Sequence, residues 1–148
     1  MAEVGFYHLS TTSLERALPR LLERAWSQGY RIVVRAASRE RVEHLDAVLW
    51  TYEEAAFLPH GSLRDGNPGM QPIWLTCRDE NPNRASMIVL TDGLDAGDLS
   101  SFHRCADIFD GNDVKAVEAA RERWQRVREA GHSVTYWQQT AGGWKRNT

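Results

Sequence analysis

The chain has 148 residues, a length that suits one domain with a proper hydrophobic core. Its formal net charge of −2 and its pI near 6.2 argue against a protein that coats nucleic acid through bulk positive charge. Its two cysteines, Cys77 and Cys105, lie far apart without metal-ligand spacing, which indicates reduced thiols and neither a disulfide framework nor a zinc site. The N-terminal residues lack a secretory pattern and no run of apolar residues would cross a bilayer, so we expect a cytoplasmic protein without a membrane partner.

The first half of the chain predicts two strand and helix units. In chain order the predicted elements are a strand over Val4 to Leu9, a helix over Leu14 to Ala25, a strand over Tyr30 to Ala36 and a helix from Val42 to about Trp50. The serines and threonines at Ser10 to Ser13 are candidates to cap the first helix, and Gly29 is a candidate to end it. Ser38 is the expected cap of the second helix.

The second half predicts further strands around one long helix. The predicted elements are an exposed loop over Gly61 to Gln71, strands over Ile73 to Cys77, Met87 to Thr91 and Cys105 to Phe109, a helix capped by Asn112 or Asp113, and an edge strand over Val134 to Gln138. From Gly142 onward we expect a frayed tail. The expected organisation is therefore a single domain over residues 1–140 with a flexible tail over residues 141–148.

This alternation predicts an α/β protein, namely a three-layer α/β/α Rossmann-like sandwich around a mostly parallel sheet. In that fold the first strand-to-helix turn normally carries glycines that let backbone amides approach a phosphate. Here the turn reads HLSTTSLER and has no glycine between Leu9 and Leu14. We therefore expect no working nucleotide-binding loop and no cofactor.

The segment ARERWQRVREAG, from Ala120 to Gly131, puts one tryptophan among four arginines on a predicted surface helix. At helical spacing an apolar stripe is formed by Val117, Ala120, Trp124 and Val127. One border of that stripe carries Arg121, Gln125 and Arg128. An aromatic surface edged by guanidiniums suits a ligand with an apolar group and a carboxylate. Two alternatives remain open: Trp124 is core and the arginines are only solvated, or the helix binds single-stranded DNA with Trp124 stacking on bases.

The enzyme hypothesis rests mainly on the segment TDGLDAGDLSSFH, from Thr91 to His103. Asp92, Asp95 and Asp98 follow a buried strand, and His103 comes shortly after. Carboxylates at the end of a strand can hold Mg²⁺ beside a proton-transferring histidine, so a Mg-dependent hydrolase using Asp92 and Asp95 is the alternative function. The competing interpretation is that these aspartates cap turns, as aspartate often does beside glycine. We favour the second interpretation and predict neither catalytic nor metal-binding residues.

Two motifs together carry a resemblance to a known family. LWTYEEAAFLPHG, from Leu49 to Gly61, and ARERWQRVREAG occur in an order and at a spacing that also fit the opening FYHL and the final TYWQQ. Over Phe6 to Trp137 the chain resembles the chi subunit of the bacterial DNA polymerase III holoenzyme. The resemblance implies a nucleotide-binding-like fold without a nucleotide site. It also implies a non-catalytic accessory protein that links the clamp loader to single-stranded DNA-binding protein, with nucleic acid contacted only indirectly.

The resemblance implies a binding site for the acidic, Pro-Phe-ended tail of single-stranded DNA-binding protein. That site lies on the helix matching Lys115 to Ala130. Arg121 matches the arginine that meets the terminal carboxylate, Trp124 replaces a tyrosine beside it, and Phe109 falls near a position in an apolar wall. Gln125 stands where well-studied members carry a lysine. Arg128 or Lys115 would partly replace that cation, and a lower or less salt-dependent affinity is expected.

The resemblance implies a second surface, which binds the psi subunit or another clamp-loader component, or a helicase that competes with psi. Trp50 and Phe57 match its aromatic positions, with Leu58 and Pro59 shaping the segment. An exposed aromatic patch is how interface anchors appear in a sequence, although both rings would serve equally well in a core. Glu53 replaces a proline found in some members, which leaves the partner and its contacts open.

Overall fold

The structure is a computed structural model that describes residues 1–53 and 58–147. Within them the chain forms eight strands, three helices and one short 3₁₀ turn at Pro68–Met70. The elements in chain order are β1 (Glu3–Leu9), α1 (Leu14–Ser27), β2 (Ile32–Arg35), α2 (Arg39–Thr51), β3 (Gly61–Ser62), β4 (Ile73–Thr76), β5 (Met87–Leu90), β6 (Arg104–Asp110), α3 (Val114–Glu129), β7 (Ser133–Thr140) and β8 (Gly143–Arg146). None of the described helices is long and apolar enough to cross a membrane.

All eight strands belong to one sheet in the order β3-β4-β2-β5-β6-β1-β7-β8. Strands β1 to β7 all run in the same direction, and β8 alone runs antiparallel, paired with β7. In the middle of the sheet Phe6 of β1 lies opposite Asp107 of β6 on one side and Tyr136 of β7 on the other. The predicted α/β fold with a mostly parallel sheet is confirmed.

The helices cover both faces of the sheet. Helices α1 and α2 bury Leu18, Leu22 and Leu45 against one face. Helix α3 buries Ala120 against the other, where Phe6 and Phe109 belong to a second apolar cluster. The three-layer arrangement follows, because each helix has one apolar face to bury. The Rossmann-like description holds only approximately, since one layer has a single helix and the sheet ends in an antiparallel strand.

Side-chain caps begin two of the helices where the sequence indicates. The Ser38 hydroxyl accepts a hydrogen bond from the Arg41 amide at 3.2 Å at the start of α2. Of the two candidates for α3, Asp113 is the cap: its carboxylate accepts from the amides of Lys115 and Ala116 at 3.0 and 3.4 Å. These bonds satisfy amides that have no partner within the helix.

The expectation of an edge strand over Val134 to Gln138 followed by a frayed tail is wrong. Strand β7 pairs with β1 on one side and with β8 on the other, so β8 is the edge. Ala141 and Gly142 form the tight turn between them, and Gly143, the first residue of β8, has a φ of +132°, a conformation that favours glycine. Trp144 then packs edge-on against the ring of Tyr7, with 5.3 Å between the centroids, which anchors the C-terminal hairpin to the core.

The loop predicted over Gly61 to Gln71 begins with a strand. Gly61 and Ser62 are buried and pair with β4. A Cβ atom at position 61 would lie 2.5 Å from the side chain of Gln71, so a larger residue there would have to displace that side chain. Two residues are too few to show strand periodicity in a sequence, which is why the pattern of glycines and prolines predicted only a loop.

Candidate functional site

A cleft of about 330 Å³ lies between α3 and the α3-facing side of strands β1 and β7. Its lining residues come from α3, from the two strands and from the segment after β8: His8, Arg121, Trp124, Tyr136, Gln138 and Asn147. The cleft is open to solvent and combines three aromatic rings with one guanidinium. We call it the α3 cleft.

The floor of the α3 cleft follows from the alternation of side chains along two parallel strands. Phe6 and His8 of β1 point toward α3, and their register partners on β7 are Tyr136 and Gln138. Asn147 closes the outer side, where its backbone N–H donates to the carbonyl of Tyr136 at 2.8 Å. The floor is therefore fixed by the hydrogen-bonded sheet and its position does not depend on a loop.

Hydrogen bonding and ring packing hold the floor in place. The Tyr136 hydroxyl and His8 Nδ1 are hydrogen-bonded at 2.6 Å. Phe109 is only 5% exposed and lies behind them, with its ring centroid 5.3 Å from His8 and 6.0 Å from Tyr136. Phe109 thus supports the floor but is not among the residues that line the α3 cleft.

The electrostatics of the floor suit an anion. Partial burial lowers the pKa of His8; Asp110 opposes this effect and the nearby Arg121 guanidinium adds to it. Burial also raises the pKa of Tyr136, while Arg121 works in the opposite direction. Both groups are therefore neutral at physiological pH, and Arg121 is the charged group among the lining residues.

The predicted arginine and tryptophan come together at the α3 side of the cleft. Arg121 is exposed and Trp124 is half-buried, and both line the cleft. Arg128 lies over the Trp124 ring, with its Cζ atom 5.1 Å from the centroid. No carboxylate of the described residues forms an ion pair with Arg121 or Arg128. These two guanidiniums are thus available to an incoming carboxylate.

Two further predicted residues lie away from the α3 cleft. Gln125 is exposed, and its side-chain amide donates to Glu129 one turn further along α3 at 3.1 Å. Lys115, at the start of α3, lines a different cleft at the carboxyl ends of the strands. Neither residue touches the aromatic floor.

The other two arginines of the motif are engaged in ion pairs. Arg123 and Asp107 are each 4% exposed in their side chains and share two hydrogen bonds of 2.7 and 3.0 Å. Arg126 pairs with Asp95 at 2.5 Å on the surface. The buried pair lies between α3 and β6, so it joins the helix to the sheet.

Sequence reasoning missed His8, Tyr136, Gln138 and Asn147. A usable signal exists for the strand residues, because alternation along β1 and β7 groups His8 with Phe6 and Tyr136 with Gln138 on one face. What the sequence lacks is the pairing of β1 with β7, which joins residues about 130 positions apart. Asn147 belonged to the segment that we expected to be frayed.

The predicted second surface is only partly described. Trp50, near the end of α2, is 54% exposed, and its ring centroid lies 4.5 Å from that of His60. Leu58 is 2% exposed and belongs to the core, while Pro59 is half-buried. Phe57 lies outside the described residues. Trp50 therefore supplies an exposed ring at the end of the layer formed by α1 and α2, on the opposite face of the sheet from the α3 cleft.

The segment that carries Asp92, Asp95 and Asp98 gives little support to a metal site. Asp92 pairs with Arg41 at 3.0 Å and accepts a hydrogen bond from the Ala37 amide. Partial burial works to raise the pKa of Asp92, but the bonds from Arg41 and Ala37 outweigh it and lower the pKa. Asp95 is bound to Arg126. Among residues 1–53 and 58–147 no group of three or more histidine, cysteine or acidic side chains is placed to hold a metal ion.

A larger cleft of about 820 Å³ lies at the carboxyl ends of β1 and β6, where α1 and α3 leave for opposite faces of the sheet. Nucleotides bind at such switch points in related folds. Here Gln139 of β7 occupies the first turn: its side-chain oxygen accepts hydrogen bonds from the amides of Ser10, Thr11 and Thr12 at 3.1, 2.9 and 3.0 Å. The amides that would meet a phosphate are thus bonded to the protein itself.

Comparison with known proteins identifies the family. A family model described as DNA polymerase III chi subunit, HolC, matches residues 1–135. A relative from Rickettsia prowazekii, named probable DNA polymerase III subunit chi, is 31% identical over 109 residues, which are 74% of this chain and 66%, just under two thirds, of the relative. Proteins named DNA polymerase III subunit chi are 25% identical in Pseudomonas aeruginosa, covering 90% of this chain and 94% of the relative, and 21% identical in Escherichia coli, covering 83% and 84%. The chain belongs to the DNA polymerase III chi subunit family.

Proposed function

We propose that this protein is a non-catalytic adaptor of the replisome in the cytoplasm. It links the DNA polymerase III clamp loader to single-stranded DNA-binding protein by binding the acidic C-terminal tail of that protein, and so supports DNA replication. Membership of the chi family supports the place in the replisome. The chemistry of the α3 cleft supports the choice of ligand.

The observation that carries the proposal is the position of Arg121. This exposed guanidinium stands beside Trp124 at the mouth of an aromatic cleft, and no carboxylate of the described chain pairs with it. A chain-terminal carboxylate can accept two parallel hydrogen bonds from such a group. The ring of a terminal phenylalanine then packs against Trp124 and Tyr136, where edge-on and offset contacts between rings are favourable.

The surroundings fit the rest of an acidic tail. Arg128 extends the positive edge of the α3 cleft beyond Arg121. The volume of about 330 Å³ is at the low end for ligand pockets, which suits one aromatic side chain with its backbone. A small open cleft of this kind is expected to give a micromolar dissociation constant, about −7 to −8 kcal/mol.

The test is calorimetric titration with a peptide that copies the acidic Pro-Phe tail. Three peptides are compared: the intact sequence, the sequence without its terminal phenylalanine, and the intact sequence with its C-terminus amidated. The proposal requires that removal of the phenylalanine abolishes binding and that amidation weakens it strongly, because the carboxylate is the partner of Arg121. Unchanged binding of the shortened peptide would overturn the proposed site.

We assign the second partner to the surface around the exposed Trp50 ring; Phe57 and Pro59 remain predicted for it, whereas Leu58 is buried in the core. The partner is the psi subunit or another clamp-loader component, in competition with a helicase. The exposure of the Trp50 ring supports an interface, because large exposed aromatic side chains are typical anchors. Helix α2, which carries Trp50, contacts strand β4, whereas the floor of the α3 cleft includes β7. These two strands are five positions apart in the sheet, roughly 24 Å at the usual spacing between strands. The two partners can therefore be bound at the same time, as bridging requires.

A further inference from the structure

The C-terminal hairpin adds a charged strand next to the α3 cleft. The family match ends at residue 135, whereas β7 continues to Thr140 and β8 runs over Gly143–Arg146. Strand β8 therefore lies beyond the residues that the family model matches. Its one lysine, Lys145, is exposed.

The sheet register fixes which way Lys145 points. Lys145 lies directly opposite Gln138 in the antiparallel pair, and opposite residues of such a pair share a face. Gln138 lines the α3 cleft, and so does Asn147, two residues beyond Lys145 along the chain. Both relationships place Lys145 on the cleft side of the sheet, at its outer edge.

The opposite face of β8 holds the strand in this register. Trp144 lies opposite Gln139 and packs against Tyr7 on the side of α1. A slip of one residue would move the Trp144 ring from that core to solvent. Arg146 lies opposite Trp137, which also packs on the α1 side, so Arg146 and Lys145 point to different faces.

Cations thus flank the α3 cleft on both sides. Arg121 and Arg128 stand on the α3 side, and Lys145 stands across the floor on β8. In the part of the chain that the structure describes, no carboxylate forms an ion pair with Lys145. On α3 itself the neutral Gln125 is bonded to Glu129 and adds no charge.

We propose that Lys145 is a specificity-determining residue that receives the acidic side chains upstream of the terminal Pro-Phe. This inference rests on the proposed function. A peptide anchored by its carboxylate at Arg121 extends at about 3.3 Å per residue, so its acidic residues reach the edge of the cleft. Lys145 on β8 would supply a positive charge in place of the lysine that well-studied family members carry at the position of Gln125 on α3.

The test uses the full chain with Lys145→Ala and a matched control, Arg146→Ala, which removes a neighbouring cation on the other face. Each variant is titrated with the acidic tail peptide and with a peptide in which every aspartate is asparagine. We expect Lys145→Ala to weaken binding of the acidic peptide about three- to tenfold, to leave the asparagine peptide unaffected and to reduce the salt dependence. Arg146→Ala should match the wild type with both peptides.

Two outcomes would overturn the proposal, and they differ in what else they affect. In the first, the wild type binds the acidic peptide and Lys145→Ala binds it as tightly as the wild type and Arg146→Ala do. Lys145 then has no role in binding, and the adaptor function stands. If the wild type binds neither peptide, the proposed function fails and this inference fails with it. Thermal unfolding of both variants checks that the hairpin is intact.

Discussion

The guanidinium of Arg128 stacks on the ring of Trp124, with 5.1 Å between the Arg128 Cζ atom and the ring centroid. Trp124 is half-buried and lines the α3 cleft, so this contact fixes one wall of the cleft before any ligand arrives. A wall that is already ordered costs less entropy on binding. The pair therefore supports the proposed peptide site in two ways, through apolar contact and through charge.

Trp124→Ala is expected to weaken binding of the acidic tail peptide about 10- to 50-fold, because it removes the largest side chain that lines the α3 cleft. Trp124→Phe should cost only a few-fold, since a ring remains for packing and for the Arg128 guanidinium. Calorimetric titration measures both dissociation constants, and circular dichroism checks the fold. Wild-type affinity in Trp124→Ala would show that the ring is only structural.

The buried ion pair between Arg123 and Asp107 is expected to stabilise the fold without contributing to binding of the tail peptide. Arg123→Met leaves the Asp107 carboxylate buried without its partner, and loss of about 3–5 kcal/mol in the free energy of unfolding is expected. Arg126→Met, on the same helix with an exposed partner, should change stability little. Urea denaturation compares the two variants. Equal stability of both would mean that the buried pair does not hold α3 to the sheet.

Tail affinity is expected to rise as the pH falls through the pKa of His8 in the complex, and to level off below its pKa in the free protein, which lies under the ordinary value of 6.5. Burial lowers the pKa of His8, so the ring is neutral in the free protein at physiological pH. A peptide carboxylate bound in the α3 cleft favours the protonated ring and raises that pKa, so the complex takes up a proton. His8→Gln should flatten the profile, whereas His44→Gln, on α2, should not. A wild-type affinity that does not change with pH would show that His8 does not interact with the bound peptide.

Trp50→Ala should leave tail affinity within twofold of the wild type, because the Trp50 ring lies on the opposite face of the sheet from the α3 cleft. The same variant should lose binding to the psi subunit, which is measured by co-purification or by titration with psi. Parallel loss of tail binding would contradict two independent surfaces.

Local features of the site were predictable because a helix fixes its own faces. Helical spacing puts Trp124 in the apolar stripe of α3 and Arg121 on one border of that stripe, and the structure places both in one cleft. The strand order was not predictable in the same way. The pairing of β1 with β7 brings His8 to Gln138, and such long-range register depends on the whole sheet.

Arg123 and the C-terminal hairpin show a second kind of limit. An arginine among surface arginines looks solvated, and only the packing of α3 on β6 reveals that Asp107 faces it. A hint exists in the sequence, since Asp107 interrupts the apolar run of β6 on the side that faces α3. The segment from Gly142 was predicted to be frayed because most of its residues are polar. The contact of Trp144 with Tyr7, which holds it in place, cannot be recognised in the sequence.

The most direct test is titration of wild type, Arg121→Ala and Arg126→Ala with the acidic Pro-Phe tail peptide. Both variants remove one exposed arginine from α3, but only Arg121 lines the α3 cleft. The account predicts micromolar binding by the wild type and by Arg126→Ala, and at least about 30-fold weaker binding by Arg121→Ala. Wild-type affinity in Arg121→Ala, or an equal loss in Arg126→Ala, would contradict it.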